Sequence, residues 1–149
     1  MCFLNYSERY AAYKLLCIID ILSMTQIIDN IYLGDCYDSK NVDNKFGLIV
    51  NCTPDLPFYS NSTINLRLAV SDFGNPNEIA IMINELPLIF DEINNYNGNI
   101  LVHCQAGHSR SPSVIAAYLL TKQPNLTVDE AIQLVKSRDN NAFFSGVKF

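Results

Sequence analysis

Hydrophobic positions fall along the chain in short blocks whose period changes from one block to the next. Residues 9–23 are apolar on more than one side and predict a helix that needs a surface to cover it. Ile31 to Leu33 predicts a short strand ended by Gly34, and Asp38 to Phe46 a short helix. Gly47 to Asn51 (GLIVN) is an unbroken apolar run bounded by Gly and Pro54, the pattern of a strand buried on both faces. Asn51 to Ser62 is rich in Pro, Asn and Ser and predicts a loop, after which Ile64, Leu66, Leu68 and Val70 alternate as a strand does. At Asn75-Pro76-Asn77-Glu78 the period switches. An Asn cap, Pro at the first helical position and an acidic residue three after the cap open a helix, with Glu78 read as the capping-box carboxylate. Ile79, Met82, Ile83, Leu86, Phe90 and Ile93 continue it, Pro87 predicts a kink or break, and Gly98 ends it. Asn99 to His103 (NILVH) is a second buried strand, Ser111 to Lys122 a helix, and Thr127 to Glu130 a capping box opening a last helix with Ala131, Leu134 and Val135. Strands alternating with helices predict the α/β class, a mostly parallel central sheet with helices on both faces.

Length adds that this is one core: 149 residues with no repeat and no linker, divided into a helical extension over 1–25 and one domain over 26–149. With 49% hydrophobic residues the chain is too apolar to be disordered. Ten basic against fifteen acidic residues give a net charge of −5, which argues against nucleic acid or an anionic membrane as partner. Five cysteines without a CxxC pair fit neither a zinc knuckle nor a disulfide framework, so a reducing compartment is expected. The run from Ala11 to Leu22 carries Lys14 and Asp20 and is too short to span a bilayer, so the expected location is the cytoplasm.

The chemistry concentrates in His103-Cys104-Gln105-Ala106-Gly107-His108-Ser109-Arg110-Ser111, between an apolar strand and an apolar helix. A ligand in an open α/β sheet sits at the carboxyl end of a strand, and a short loop entering a helix turns its N–H groups into an anion cradle. Gly107 allows the backbone to turn and approach. That cradle and Arg110 favour the thiolate of Cys104, and a thiolate inside an anion site calls for an electrophile bearing negative oxygens, which describes a phosphate monoester. Arg110 offers a planar fork for two phosphate oxygens, Ser111 a hydrogen bond to the sulfur, and His103 support from behind the loop. Gln105, Ala106, Gly107, His108, Ser109 and Arg110 form the expected phosphate-binding set. The leaving oxygen needs an acid, and Asp72, in a loop following the strand that ends at Val70, is the candidate over Asp55 and Glu78. Cys52, closing GLIVNC, is the candidate redox partner of Cys104.

At these residues the chain resembles the dual-specificity branch of the cysteine-based protein phosphatases. The likeness runs from about Ile28 to Phe149 and includes Ile31-Tyr32-Leu33-Gly34, Asn51-Cys52-Thr53-Pro54, Val70-Ser71-Asp72 and the HCxxGxxRS loop. It implies Cys104 as nucleophile, Arg110 as phosphate clamp, Asp72 as general acid, Ser111 as the residue assisting release, and no metal or other cofactor. It also implies phosphorylated proteins as substrates, phosphotyrosine as well as phosphoserine and phosphothreonine. RNA 5′-phosphatases and phosphoinositide phosphatases share the scaffold and are the alternatives; a phospho-binding scaffold module is a third. The N-terminal helix resembles that of the poxvirus-type enzymes, which implies a homodimer paired through it.

Overall fold

The computed structural model describes residues 7, 8, 24–42, 44–61 and 63–149, so the helix expected over 9–23, and pairing through it, lies outside the described residues. Five short strands are β1 (Thr25–Ile28), β2 (Ile31–Gly34), β3 (Leu48–Asn51), β4 (Ile64–Arg67) and β5 (Ile100–His103). They form one sheet in the order β1-β2-β5-β3-β4, antiparallel only between β1 and β2. The helices are α1 (Pro76–Asn95), α2 (Arg110–Lys122) and α3 (Val128–Arg138). Among the described residues, none is long and apolar enough to cross a membrane.

The two apolar runs hold the centre: every residue of β3 and β5 is buried, and each of these strands has a parallel neighbour on both sides. Alternation along them sorts two cores. Leu48, Val50, Ile100 and Val102 meet the inner residues of α1, α2 and α3, while Ile49 and Leu101 on the other face meet Val42 and Phe46. Among the described residues these three helices therefore share one face. Among the described residues, a short 3₁₀ helix at Asp38–Lys40 and the segment after it cover the other.

Local sequence signals explain the helix starts. The Asn75 side chain accepts from the Glu78 N–H at 3.0 Å. Thr127 and Glu130 complete both halves of a capping box, at 3.2 and 2.8 Å. Three expectations differ. Asp38 to Phe46 is helical only for its first turn, because Asp35 accepts from the N–H groups of Tyr37 and Asp38 while Asp38 accepts from that of Asp35, closing a compact turn, and Asn44 then takes φ 63°. Helix α1 runs through Pro87 unbroken. Pro87 and Ile83 both face solvent, so the Ile83 carbonyl that loses its helical N–H is on the wet side. Strand β4 stops at Arg67, whose guanidinium turns back to the carbonyls of Thr53 and Leu56 at 2.8 Å each. Leu68 and Val70 stay fully buried beyond it, and the Val70 N–H folds onto the Leu68 carbonyl at 2.9 Å, bending the chain toward the end of β5.

Register decides where chemistry gathers. Gly34 of β2 and Asn51 of β3 both pair with His103, the last residue of β5. Three parallel strands thus end at one level, and the segments beginning at Asp35, Cys52 and Cys104 emerge together.

Candidate active site

Cys104 is the first residue past β5 and is buried, and the Ser111 hydroxyl donates to its Sγ at 3.1 Å. Between them the chain turns at Gly107, φ 71°, where an added Cβ would lie 3.1 Å from the Gly34 carbonyl oxygen. The left-handed backbone and that approach both require glycine. The carbonyls of Gln105, His108 and Ser109 accept bonds from the N–H groups of Cys36 (3.0 Å), Phe143 (2.7 Å) and Ser113 (3.0 Å). Because a trans peptide points its N–H opposite its C=O, the N–H groups of Ala106, Ser109 and Arg110 face away from those partners.

Arg110 opens α2 and is itself buried. Its Nη1 donates to the Val70 carbonyl at 3.0 Å, and its Nε lies 4.0 Å from Asp72 Oδ1. The structure thus pairs Ser111 with Cys104 and Asp72 with Arg110, both pairs built on the loop after β5, while Asp55 is left exposed in the loop after β3. Among the described residues, the buried side-chain polar atoms without a hydrogen-bond partner are His103 Nε2, Ser109 Oγ and Arg110 Nε. Two of these three belong to the loop, and they are donors suited to an oxyanion. The Gln105 side-chain amide donates to Cys36 Sγ at 3.4 Å. His108 packs its ring against Phe144, centroids 5.9 Å apart.

His103 lies behind the loop, fully buried, with Nδ1 3.4 Å from the Cys104 carbonyl. Burial lowers its pKa from 6.5 to about 4, with the contact to the Cys104 carbonyl opposing, so the ring is neutral and positions rather than titrates near neutrality. Between these two values the unfolded chain binds a proton that the folded chain refuses. Stability is therefore complete above about pH 6.5 and falls as pH drops toward 4, by roughly 3 kcal/mol in full. Urea unfolding at pH 7 and pH 5 should show a larger drop for the native chain than for His103→Gln; equal drops would contradict this. Cys52 is a second buried free thiol, pushed well up by burial first and by Cys104 next, which keeps it protonated.

Other residues escape sequence reading. Glu78 is not a full capping-box residue: its N–H meets Asn75, but its carboxylate accepts from the Ser71 N–H and hydroxyl at 2.8 and 2.7 Å. Ser71 presents two donors to it where the cap residue has one. Lys148 Nζ lies 3.1 Å from Asp72 Oδ2 and 3.3 Å from the Asp72 carbonyl. Nothing in the apparently unpatterned stretch from 143 to 149 marks that lysine.

The dual specificity phosphatase catalytic domain family matches residues 31–149. Human dual specificity protein phosphatase 9 is 37% identical over 123 residues, covering 78% of this chain and 32% of that one. Human dual specificity protein phosphatase 6 is 35% identical over the same length and shares. The chain thus spans about a third of these curated relatives. Human DUSP28 superposes with a TM-score of 0.68 at 23% identity, over 83% of this chain and 88% of that one. DUSP15 superposes with a TM-score of 0.67 at 26% identity, over 80% and 78%. With the HCxxGxxRS loop folded around Cys104 and a family match over most of its length, the chain belongs to the dual specificity phosphatase catalytic domain family.

Proposed function

We propose that this chain is a protein phosphatase that hydrolyses phosphotyrosine, phosphoserine and phosphothreonine monoesters through a phosphocysteine on Cys104, in the reducing cytoplasm. The observation that carries the reading is the loop after β5, whose Cys104 Sγ receives the Ser111 hydroxyl at 3.1 Å and whose Arg110 Nε lies 4.0 Å from Asp72 Oδ1.

In the first step the Cys104 thiolate attacks phosphorus. An S–P bond forms as the P–O ester bond breaks, and protonated Asp72 gives its proton to the departing oxygen. Arg110 and the N–H groups of 105–110 hold the three equatorial oxygens. In the second step Asp72, now a carboxylate, takes a proton from water as the water oxygen bonds to phosphorus. The S–P bond breaks, its electron pair returns to sulfur, and the Ser111 hydroxyl stabilises the thiolate that leaves. Phosphate departs and the starting state is restored.

Asp72→Ala tests the acid. With a phosphotyrosine peptide, kcat should fall by about a hundredfold or more while KM changes little, since a placed acid contributes on the order of 10²–10⁴ in rate. With an ester of a strongly acidic phenol, whose oxygen leaves unaided, the loss should be much smaller. Equal losses on both esters would remove Asp72 from this role.

A further inference from the structure

The Asp72 carboxyl is held directly by an exposed contact to Lys148 Nζ at 3.1 Å and by Arg110 Nε at 4.0 Å. The Asp72 side chain is 45% exposed, and the next residue, Phe73, is 83% exposed, so no core packing fixes the loop. Gly74 follows at φ 64°. Order enters from one peptide plane upstream. The Val70–Ser71 peptide is gripped at both ends: its carbonyl accepts from Arg110 Nη1 at 3.0 Å, and its N–H donates to Glu78 Oε2 at 2.8 Å. The Ser71 hydroxyl adds a second bond to the other oxygen of the same carboxylate, at 2.7 Å. Glu78 is anchored in turn, because it sits in the first turn of α1 with its N–H on the Asn75 side chain. An acidic side chain there is also favoured by the helix dipole. A helix start, a carboxylate and the cation of the phosphate loop thus clamp the peptide plane that precedes the one bearing Asp72.

We propose that Glu78 is a positioning residue for the general acid, setting through Ser71 where the Asp72 carboxyl meets the leaving oxygen. This rests on the reading of Asp72 as the acid. Lys148 also contacts Asp72, through exposed bonds, a weaker constraint than the two bonds to the Glu78 carboxylate in a partly buried site.

Kinetics on two esters, a phosphotyrosine peptide and an ester of an acidic phenol, tests this. Glu78→Ala should lower kcat on the peptide by about tenfold, because a small misplacement of a catalytic group is costly, with KM little changed. The loss on the acidic phenol ester should be several-fold smaller. Glu78→Gln, which accepts from the Ser71 N–H and donates to its hydroxyl, should restore most of the peptide rate. Placed in an Asp72→Ala background, Glu78→Ala should cost nothing further, since it acts only through the acid. Ser71→Ala, which keeps the N–H bond, supplies a milder variant with the same substrate dependence, and thermal melts report folding. Equal losses on both esters, additive losses in the double variant, or an unchanged peptide rate while Asp72→Ala is impaired would overturn the role of Glu78. An unimpaired Asp72→Ala would overturn the acid assignment itself, and the proposal with it.

Discussion

Cys104→Ser is expected to stop turnover of a phosphotyrosine peptide, with kcat falling by at least about ten-thousandfold, while the peptide still binds. The substitution exchanges sulfur for oxygen at a buried position that already receives the Ser111 hydrogen bond, so the loop has little cause to rearrange. On the proposed reading the nucleophile is lost, because an alcohol is far harder to ionise than a thiol. His103 lies behind the loop with Nδ1 near the Cys104 carbonyl. The buried thiol of Cys52 is no substitute, since burial and Cys104 both push it upward and keep it in its unreactive form. Binding survives because the anion is gripped elsewhere, by Arg110, Ser109 and the loop N–H groups. Stopped assays give the rate and calorimetry the affinity. Retention of more than a tenth of kcat would place the nucleophile elsewhere. Loss of both rate and affinity would mean that the cradle depends on the sulfur to hold its shape.

The parts of this site that could be read in advance are those whose cause is local. GLIVN and NILVH announce central strands because burial on both faces leaves no polar position, and both strands lie at the middle of the sheet. The caps at Asn75 and Thr127 are legible because the bonded atoms are three residues apart. The loop between β5 and α2 is legible as a turn because Gly107 supplies the left-handed backbone it needs. Opaque features are those settled by a distant partner or by competition among donors. Glu78 has the spacing of a capping-box residue, yet the two donors of Ser71 take its carboxylate. The alternation from Ile64 to Val70 correctly marks Leu68 and Val70 as buried. The ladder nevertheless ends at Arg67, because Arg67 and the turn at Val70 redirect the chain. Pro87 suggests a break only until the side it faces is known. Lys148 is separated from Asp72 by 76 residues and becomes visible only when the chain is folded.

Arg110→Lys should be nearly as damaging, and in a manner that separates a clamp from an acid. The guanidinium spends one N–H on the Val70 carbonyl, which leaves the rest of a planar fork, including the unpartnered Nε, for phosphate oxygens. A lysine ammonium is a point donor that reaches either the carbonyl or the phosphate, without the paired geometry. Losing one preorganised donor at a developing oxyanion costs roughly a hundred- to a thousandfold, so kcat/KM should fall by about a thousandfold. The fork acts on the equatorial oxygens, which are the same in every ester. The loss should therefore be alike for a phosphotyrosine peptide and an ester of an acidic phenol, whereas loss of Asp72 weighs on the peptide. Vanadate, which presents a similar set of oxygens, should bind more weakly in step. Releasing the Val70 carbonyl should also loosen the peptide plane that Glu78 holds from its other end, adding a modest extra loss on the peptide alone. A lysine variant that keeps a tenth of kcat/KM with unchanged vanadate affinity would show that charge alone suffices at this position, and that the fork geometry at the head of α2 is not used.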